Sequence, residues 1–306
     1  MAKLPLPPMP PKQRIFGHMH QFNNDTLGFM RANGAYGDIT AFQFGPYTAY
    51  MVNHPDLVHE ILVTYPDKFN KTDGIKSTLE PVLGTGLFTS DGEFWKKQRK
   101  LIQPAFHTRR IGAYAETMVT IASAAADQWA DGDVIDMDHA MTHITMGIVS
   151  KTLFDQEVSD KANELGKAVT HVLSVVNDKL SQLIPVPYWV PTPGNRRFKI
   201  AVAKLDAIIQ KFIDDWRAEG IDKGDLLSMM MLARDDDGNP MPDKQIANEA
   251  MTLFGAGHET TASTLTWTWY LLSQNAEVRA KLHAELDQVL GGRVPTLADI
   301  PALPYT

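Results

Sequence analysis

The chain has 306 residues, 44% of them hydrophobic and 21% charged, with a formal net charge of −7. That length can bury a substantial core, and the acidic balance argues against nucleic acid as the main partner. There is no cysteine, which excludes disulfides, thiol nucleophiles and any thiolate metal ligand drawn from these residues.

The opening MAKLPLPPMPPKQ is Pro-rich and lacks an apolar h-region, so it does not read as a signal peptide. An extended lead-in is expected over 1–20. DITAFQF (38–44), Gly45-Pro46 and YTAYMV (47–52) predict strand, turn and strand. HPDLVHEILVTY predicts a short helix, with Pro55 in its first turn. Residues 66–92 are rich in Gly, Thr, Ser and Asp, and predict a long irregular loop whose Leu83, Leu87 and Phe88 lie over something apolar.

From Glu93 onward the pattern is helical, with helices predicted at 93–109, 112–130, 138–154, 159–180, 196–219, 224–233, 243–274 and 276–290. LIPVPYWVPTPGN (183–195) is a breaker. RDDDGN (234–239) lacks EF-hand spacing and predicts a turn; the methionines at 229–231 predict core. His18 with His20, and His139 with His143, have metal-compatible spacing but no evident third ligand. The fold class is therefore mainly α with a small N-terminal β region. The run from Thr260 to Ala276 carries seven Ser or Thr, a poor membrane span. A soluble, cytoplasmic chain is expected.

The 243–274 helix contains no proline, has Asp243 as a candidate N-cap, and carries apolar residues nearly all round. It is expected to cross the middle of the protein. FGAGHETTAST (254–264) breaks that pattern. Gly255 and Gly257 each cost about 1 kcal/mol relative to Ala in a helix, and permit close approach of a flat ligand or another backbone. Thr260 can bond the Ala256 carbonyl and bend the helix, making a polar notch. Burial would raise the pKa of Glu259, and a raised carboxyl beside a hydroxyl is a proton-relay arrangement. Harmless back-bonding with Glu259 paired to a Lys or Arg explains the same residues. A zincin site fails, because Ala262 stands where the second His is needed.

AGHETT (256–261) resembles the central-helix motif of the cytochrome P450 family, the haem-thiolate monooxygenases. The resemblance implies that Ala256 and Gly257 lie against the haem and that Glu259 and Thr260 deliver protons, with Thr260 facing the cavity. Trp95 and Arg99 lie one turn apart on a shared helix face, and an indole N–H with a guanidinium suits a carboxylate; a packed Trp with a surface Arg is the other reading. By the resemblance the pair binds a haem propionate. Lys96, Lys97 and Lys100 make a basic surface near the docking face of an acidic electron donor. Leu83, Leu87, Phe88 and Phe254 would form the substrate wall, although an aromatic such as Phe88 can equally plug a core.

The resemblance covers essentially all 306 residues, as one partial P450 domain: 1–65 lead-in, hairpin and short helix; 66–92 substrate-covering loop; 93–306 helical body. The ExxR helix and the Cys-containing haem loop of the family are absent, so an N-terminal fragment, C-terminally truncated and inactive by itself, is expected. Its parent would use haem b iron, O2 and NAD(P)H electrons, delivered through a reductase or ferredoxin, to oxygenate a small apolar substrate. A non-catalytic helical domain that binds an apolar ligand is the alternative.

Overall fold

A computed structural model of the chain describes residues 7–12, 14, 16–155, 168–169, 172, 174–176, 178–179 and 186–306. Two compact units form, one from 1–72 with 177–187 and one from 73–176 with 188–306. Most of the helix predicted at 159–180 lies outside the described residues; those described between 168 and 179 are helical.

In the first unit, α1 (Met19–Asn24) and α2 (Thr26–Gly34) precede a two-stranded antiparallel sheet of β1 (Ile39–Phe44) and β2 (Tyr47–Val52). Ile39 pairs with Val52 and Phe44 with Tyr47. Gly45 makes the turn at φ +58°, a left-handed conformation that glycine adopts without strain. Phe22, Phe29, Phe42 and Phe44 meet edge-on or tilted around the hairpin. His18 is buried among them. Its Nδ1 accepts from the Gln43 N–H at 3.0 Å, so Nε2 carries the proton and donates to the Pro10 carbonyl at 3.0 Å. Both ring nitrogens are thus used in tying the lead-in to β1, which accounts for His18 without a metal. The predicted short helix is α3 (Pro55–His59), continuing as a π turn over Glu60–Thr64.

The second unit is helical: α4 (Asp73–Leu83), α5 (Gly92–Ile102), α6 (Thr108–Ala126), α7 (Met137–Phe154), α8 (Pro193–Glu219), α9 (Leu226–Leu232), α10 (Asp243–Gln274) and α11 (Ala276–Leu290). Pro104 explains why the helix predicted to reach residue 109 ends early, the chain passing into a 3-10 turn over Gln103–Phe106. Side-chain caps fix several starts: Asp136 accepts from the His139 N–H at 3.1 Å, Thr192 from Asn195 at 3.1 Å and Asp225 from Ser228 at 2.6 Å. Asp243 does not cap α10. Pro242 holds that position, and Asp243 is the first helical residue, ion-paired with Arg217. An acid there still suits the positive end of the helix dipole.

The core of this unit gathers on the N-terminal half of α10. Ile246, Ala250, Met251 and Phe254 are buried with Leu205, Ile209 and Ile213 of α8, Phe154 of α7 and Met230 of α9. Phe154 and Phe212 pack with ring centroids 4.8 Å apart. The C-terminal half of α10 differs from expectation. Trp267, Trp269, Tyr270 and Leu271 are exposed, because an apolar pattern reports what a helix could bury and not what lies there to cover it. Truncating a well-enclosed ring leaves a cavity, so Phe154→Ala is expected to lower stability by about 3–5 kcal/mol, read as a reduced urea midpoint.

Candidate functional site

Three segments carry the residues singled out in the sequence: the middle of α10, the turn after α4, and α5. On α10 the Thr260 hydroxyl donates to the Ala256 carbonyl at 2.6 Å and Thr261 donates to Gly257 at 3.0 Å. Back-bonding is therefore present. The helix is not buried all round here, since Ala256, Glu259, Thr260 and Thr261 are exposed and the notch opens on free space. Glu259 has no cationic partner among the described residues. Protein packed along one side of its carboxyl still desolvates it and raises its pKa above the ordinary glutamate value.

The opposite face is closed. Phe254 has no exposed surface and sits between Phe154 and His258, with centroids 6.2 and 5.9 Å away. It is a core residue in this structure and lines no open wall, which corrects its expected substrate contact. A Cβ on Gly257 would meet Val149 of α7 at 3.2 Å, so this glycine permits close helix packing. Gly255 has open space where its Cβ would be. His258 is buried, its Nδ1 has no hydrogen-bond partner among the described residues, and burial lowers its pKa.

The segment 66–92 is not one irregular loop. Ile75, Leu79, Val82 and Leu83 fall on one stripe of α4, a periodicity masked by the surrounding Gly, Thr and Ser. The turn that follows is fastened to α10. The Leu87 N–H donates to Glu249 Oε2 at 2.9 Å, and Gln245 Nε2 donates to Glu249 Oε1 at 2.7 Å and to the Thr85 carbonyl at 2.9 Å. Leu83 and Leu87 pack against the core, whereas Phe88 is 49% exposed. The sequence reading missed Glu249 and Gln245. The available signal was an acid inside an otherwise buried stretch, QIANEAMT, paired with the two glycines of GTG.

On α5 the Arg99 guanidinium lies 5.0 Å from the centre of the Trp95 ring, so the two do share a face and stack. Trp95 is half-buried and Arg99 exposed. The basic surface expected beside them is largely neutralised. Lys96 meets Glu93 at 3.0 Å, Lys97 meets Asp235 at 2.7 Å and Lys100 meets Asp236 at 2.6 Å. The acids of the 234–239 turn fold over α5 and share with it a cavity of about 740 Å3. His139 and His143 border another cavity, of about 500 Å3, beside Trp129.

The cytochrome P450 profile matches residues 7–306. The chain belongs to the cytochrome P450 family. It is 39% identical over 299 residues to cyclooctatin synthase of Streptomyces melanosporofaciens, covering 95% of this chain and 64% of that protein. It is 32% identical over 295 residues to pentalenene oxygenase of Streptomyces avermitilis, covering 95% and 65%. The solved haem domain of cytochrome P450DA superposes with a TM-score of 0.83 at 26% identity, covering 97% of this chain and 67% of that one. The chain thus spans about two thirds of the length of these P450 relatives. No helix among the described residues is long and apolar enough to cross a membrane.

Taken separately, two groups of residues have chemistry that suits a haem. The face of α10 at Gly255, Ala256 and Thr260 is open and small, and the Trp95–Arg99 stack offers N–H donors suited to a carboxylate. These 306 residues contain no cysteine and so supply no thiolate ligand.

Two outcomes follow from the electrostatics. The His258 pKa is depressed on folding, so its contribution is complete above the ordinary imidazole value of about 6.5 and falls away as the pH drops below it. His258→Leu is expected to flatten the urea-midpoint profile in that window. Asp235 is held down to about 2, mainly by the Lys97 hydrogen bond. Its contribution is present above the ordinary carboxylate range and is lost as the pH falls through about 2. Lys97→Met is expected to return the Asp235 titration, followed by carboxyl NMR, toward about 3.9.

Proposed function

We propose that this chain forms the oxygen-binding side of a haem monooxygenase that acts on a small apolar molecule of the terpene class. Family membership supports the reading, as do two relatives whose names are cyclooctat-9-en-7-ol 5-monooxygenase and pentalenene oxygenase. The observation that carries it is the exposed Glu259, without a cationic partner among the described residues, beside the back-bonded Thr260 on the open face of α10.

When bound, haem b supplies the iron at which O2 is reduced, with electrons from NAD(P)H delivered through a ferredoxin or reductase. Trp95 and Arg99 would hold a propionate by N–H donation, while Ala256, with Gly255 rather than the packed Gly257, would form the flat contact. The Thr260 hydroxyl spends its proton on the Ala256 carbonyl, leaving its oxygen lone pairs free to accept from a water. Desolvation raises the Glu259 pKa, so it keeps its proton to higher pH than an ordinary glutamate and can pass it to that water. Leu83, Leu87 and Phe88 present apolar surface to the substrate. The neutralised lysines of α5 make a weaker platform for an acidic electron donor than the sequence implied.

The test is turnover by a protein that joins these residues to a thiolate-bearing remainder. Oxygenated product from an apolar terpene is expected, and Glu259→Gln should lower turnover by about a hundredfold while the reduced, carbon monoxide-bound spectrum is unchanged. Unaltered turnover in that variant would remove Glu259 from the relay. Absence of product from the unmodified protein would sink the reading.

A further inference from the structure

Glu249 is a carboxylate with no exposed surface, and the proton relay does not use it. It lies ten residues before Glu259 on the same helix, about 15 Å along the axis and on the closed face. Burying a carboxylate is costly unless its oxygens are hydrogen-bonded. Replacing buried ionic groups by apolar ones of similar size is often neutral or stabilising. Packing alone therefore gives no reason for an acid here, and its contacts have to supply one.

Those contacts converge on the turn at 84–90. One carboxylate oxygen receives the Leu87 N–H and the other receives Gln245, whose amide also reaches the Thr85 carbonyl. The turn is shaped to be gripped. Gly84 has φ +59°, and a Cβ there would strike Asn248 Oδ1 at 2.1 Å. A Cβ on Gly86 would come within 2.7 Å of Thr252 Oγ1 and 3.2 Å of Glu249 Oε2. Internally, the Gly86 N–H donates to Thr89 Oγ1 at 2.9 Å, Thr89 donates to the Gly84 carbonyl at 2.5 Å, and Ser90 donates to the Gly86 carbonyl at 2.7 Å. Lys76 of α4 pairs with Asp91 at the base of the turn. A rigid turn held at two backbone points has one placement on α10. Leu87 is seated on the core and Phe88, the next residue, is left exposed.

We propose that Glu249 is a positioning residue that sets substrate selectivity: it locks the 84–90 turn to α10 and so fixes where Leu87 and Phe88 stand as apolar wall. The selectivity rests on the monooxygenase reading; the lock itself does not.

Hydrogen–deuterium exchange on the 306-residue chain tests the lock. In Glu249→Leu and Gln245→Met, amides of 84–90 are expected to exchange about tenfold faster, with peptides from α7 and α8 unchanged. Glu249→Gln keeps an acceptor for the Leu87 N–H and should restore most of the protection. Unchanged exchange at 84–90 overturns the lock. If Glu249→Leu fails to fold, the Gln245→Met result decides by the same criterion. In a protein completed with its thiolate, Gln245→Met is expected to shift the ratio of oxygenation products about fivefold and to move KM more than kcat, whereas Glu249→Gln, which keeps the turn locked, should leave the ratio near that of the unmodified protein. A loosened turn with an unshifted ratio overturns the selectivity role and leaves the monooxygenase reading intact. No product from the unmodified protein sinks that reading, and the selectivity role with it.

Discussion

The close approach of α7 and α10 at Val149 and Gly257 is the constraint on which the second unit turns. A methyl on Gly257 would sit 3.2 Å from Val149, tighter than ordinary packing, so the two helices come together because one lacks a side chain at the contact. That contact divides α10 into faces. Phe254, His258 and Ala262 go inward, and Ala256, Glu259 and Thr260 are left on the other side. Placement of the acid and the hydroxyl is therefore a product of helix packing. Gly257 serves the site by orienting its neighbours.

The sequence made the backbone legible wherever a local signal was unopposed. Gly45-Pro46 between β-branched and aromatic runs defines a hairpin whose register holds along both strands. The proline-free stretch of α10 gives both of its ends. Local signals failed where two competed. Around α4, a stripe of four apolar residues was outweighed by glycine and hydroxyl composition, and Pro81 within the helix added to the appearance of a loop. The Thr260 back-bond and the Trp95–Arg99 stack were readable because each is an i, i+4 relation. The Glu249 to Leu87 contact spans 162 positions, and no periodicity encodes it. Phe254 was misplaced for a related reason: a helical aromatic shows that it will be buried, but the neighbours that decide where are distant in sequence.

Charge on α5 makes a similar point. A run of lysines read in isolation is a basic surface, yet each has an acid within 3.0 Å. Two of those acids come from the turn before α10, some 136 to 138 positions away. Such pairs are worth little to stability when exposed. Their effect here is on the field: any partner approaching this face meets alternating charge, and long-range attraction is correspondingly reduced.

The rings of Trp267, Trp269 and Tyr270 stand in water along the outer half of α10. Apolar hydration raises heat capacity, and only surface newly wetted by unfolding adds to the increment. Rings already about half hydrated in the folded chain contribute only their remaining covered surface to that change. Each of these rings accordingly adds less to the increment than an enclosed ring of the same size, and so bends the temperature dependence of stability less.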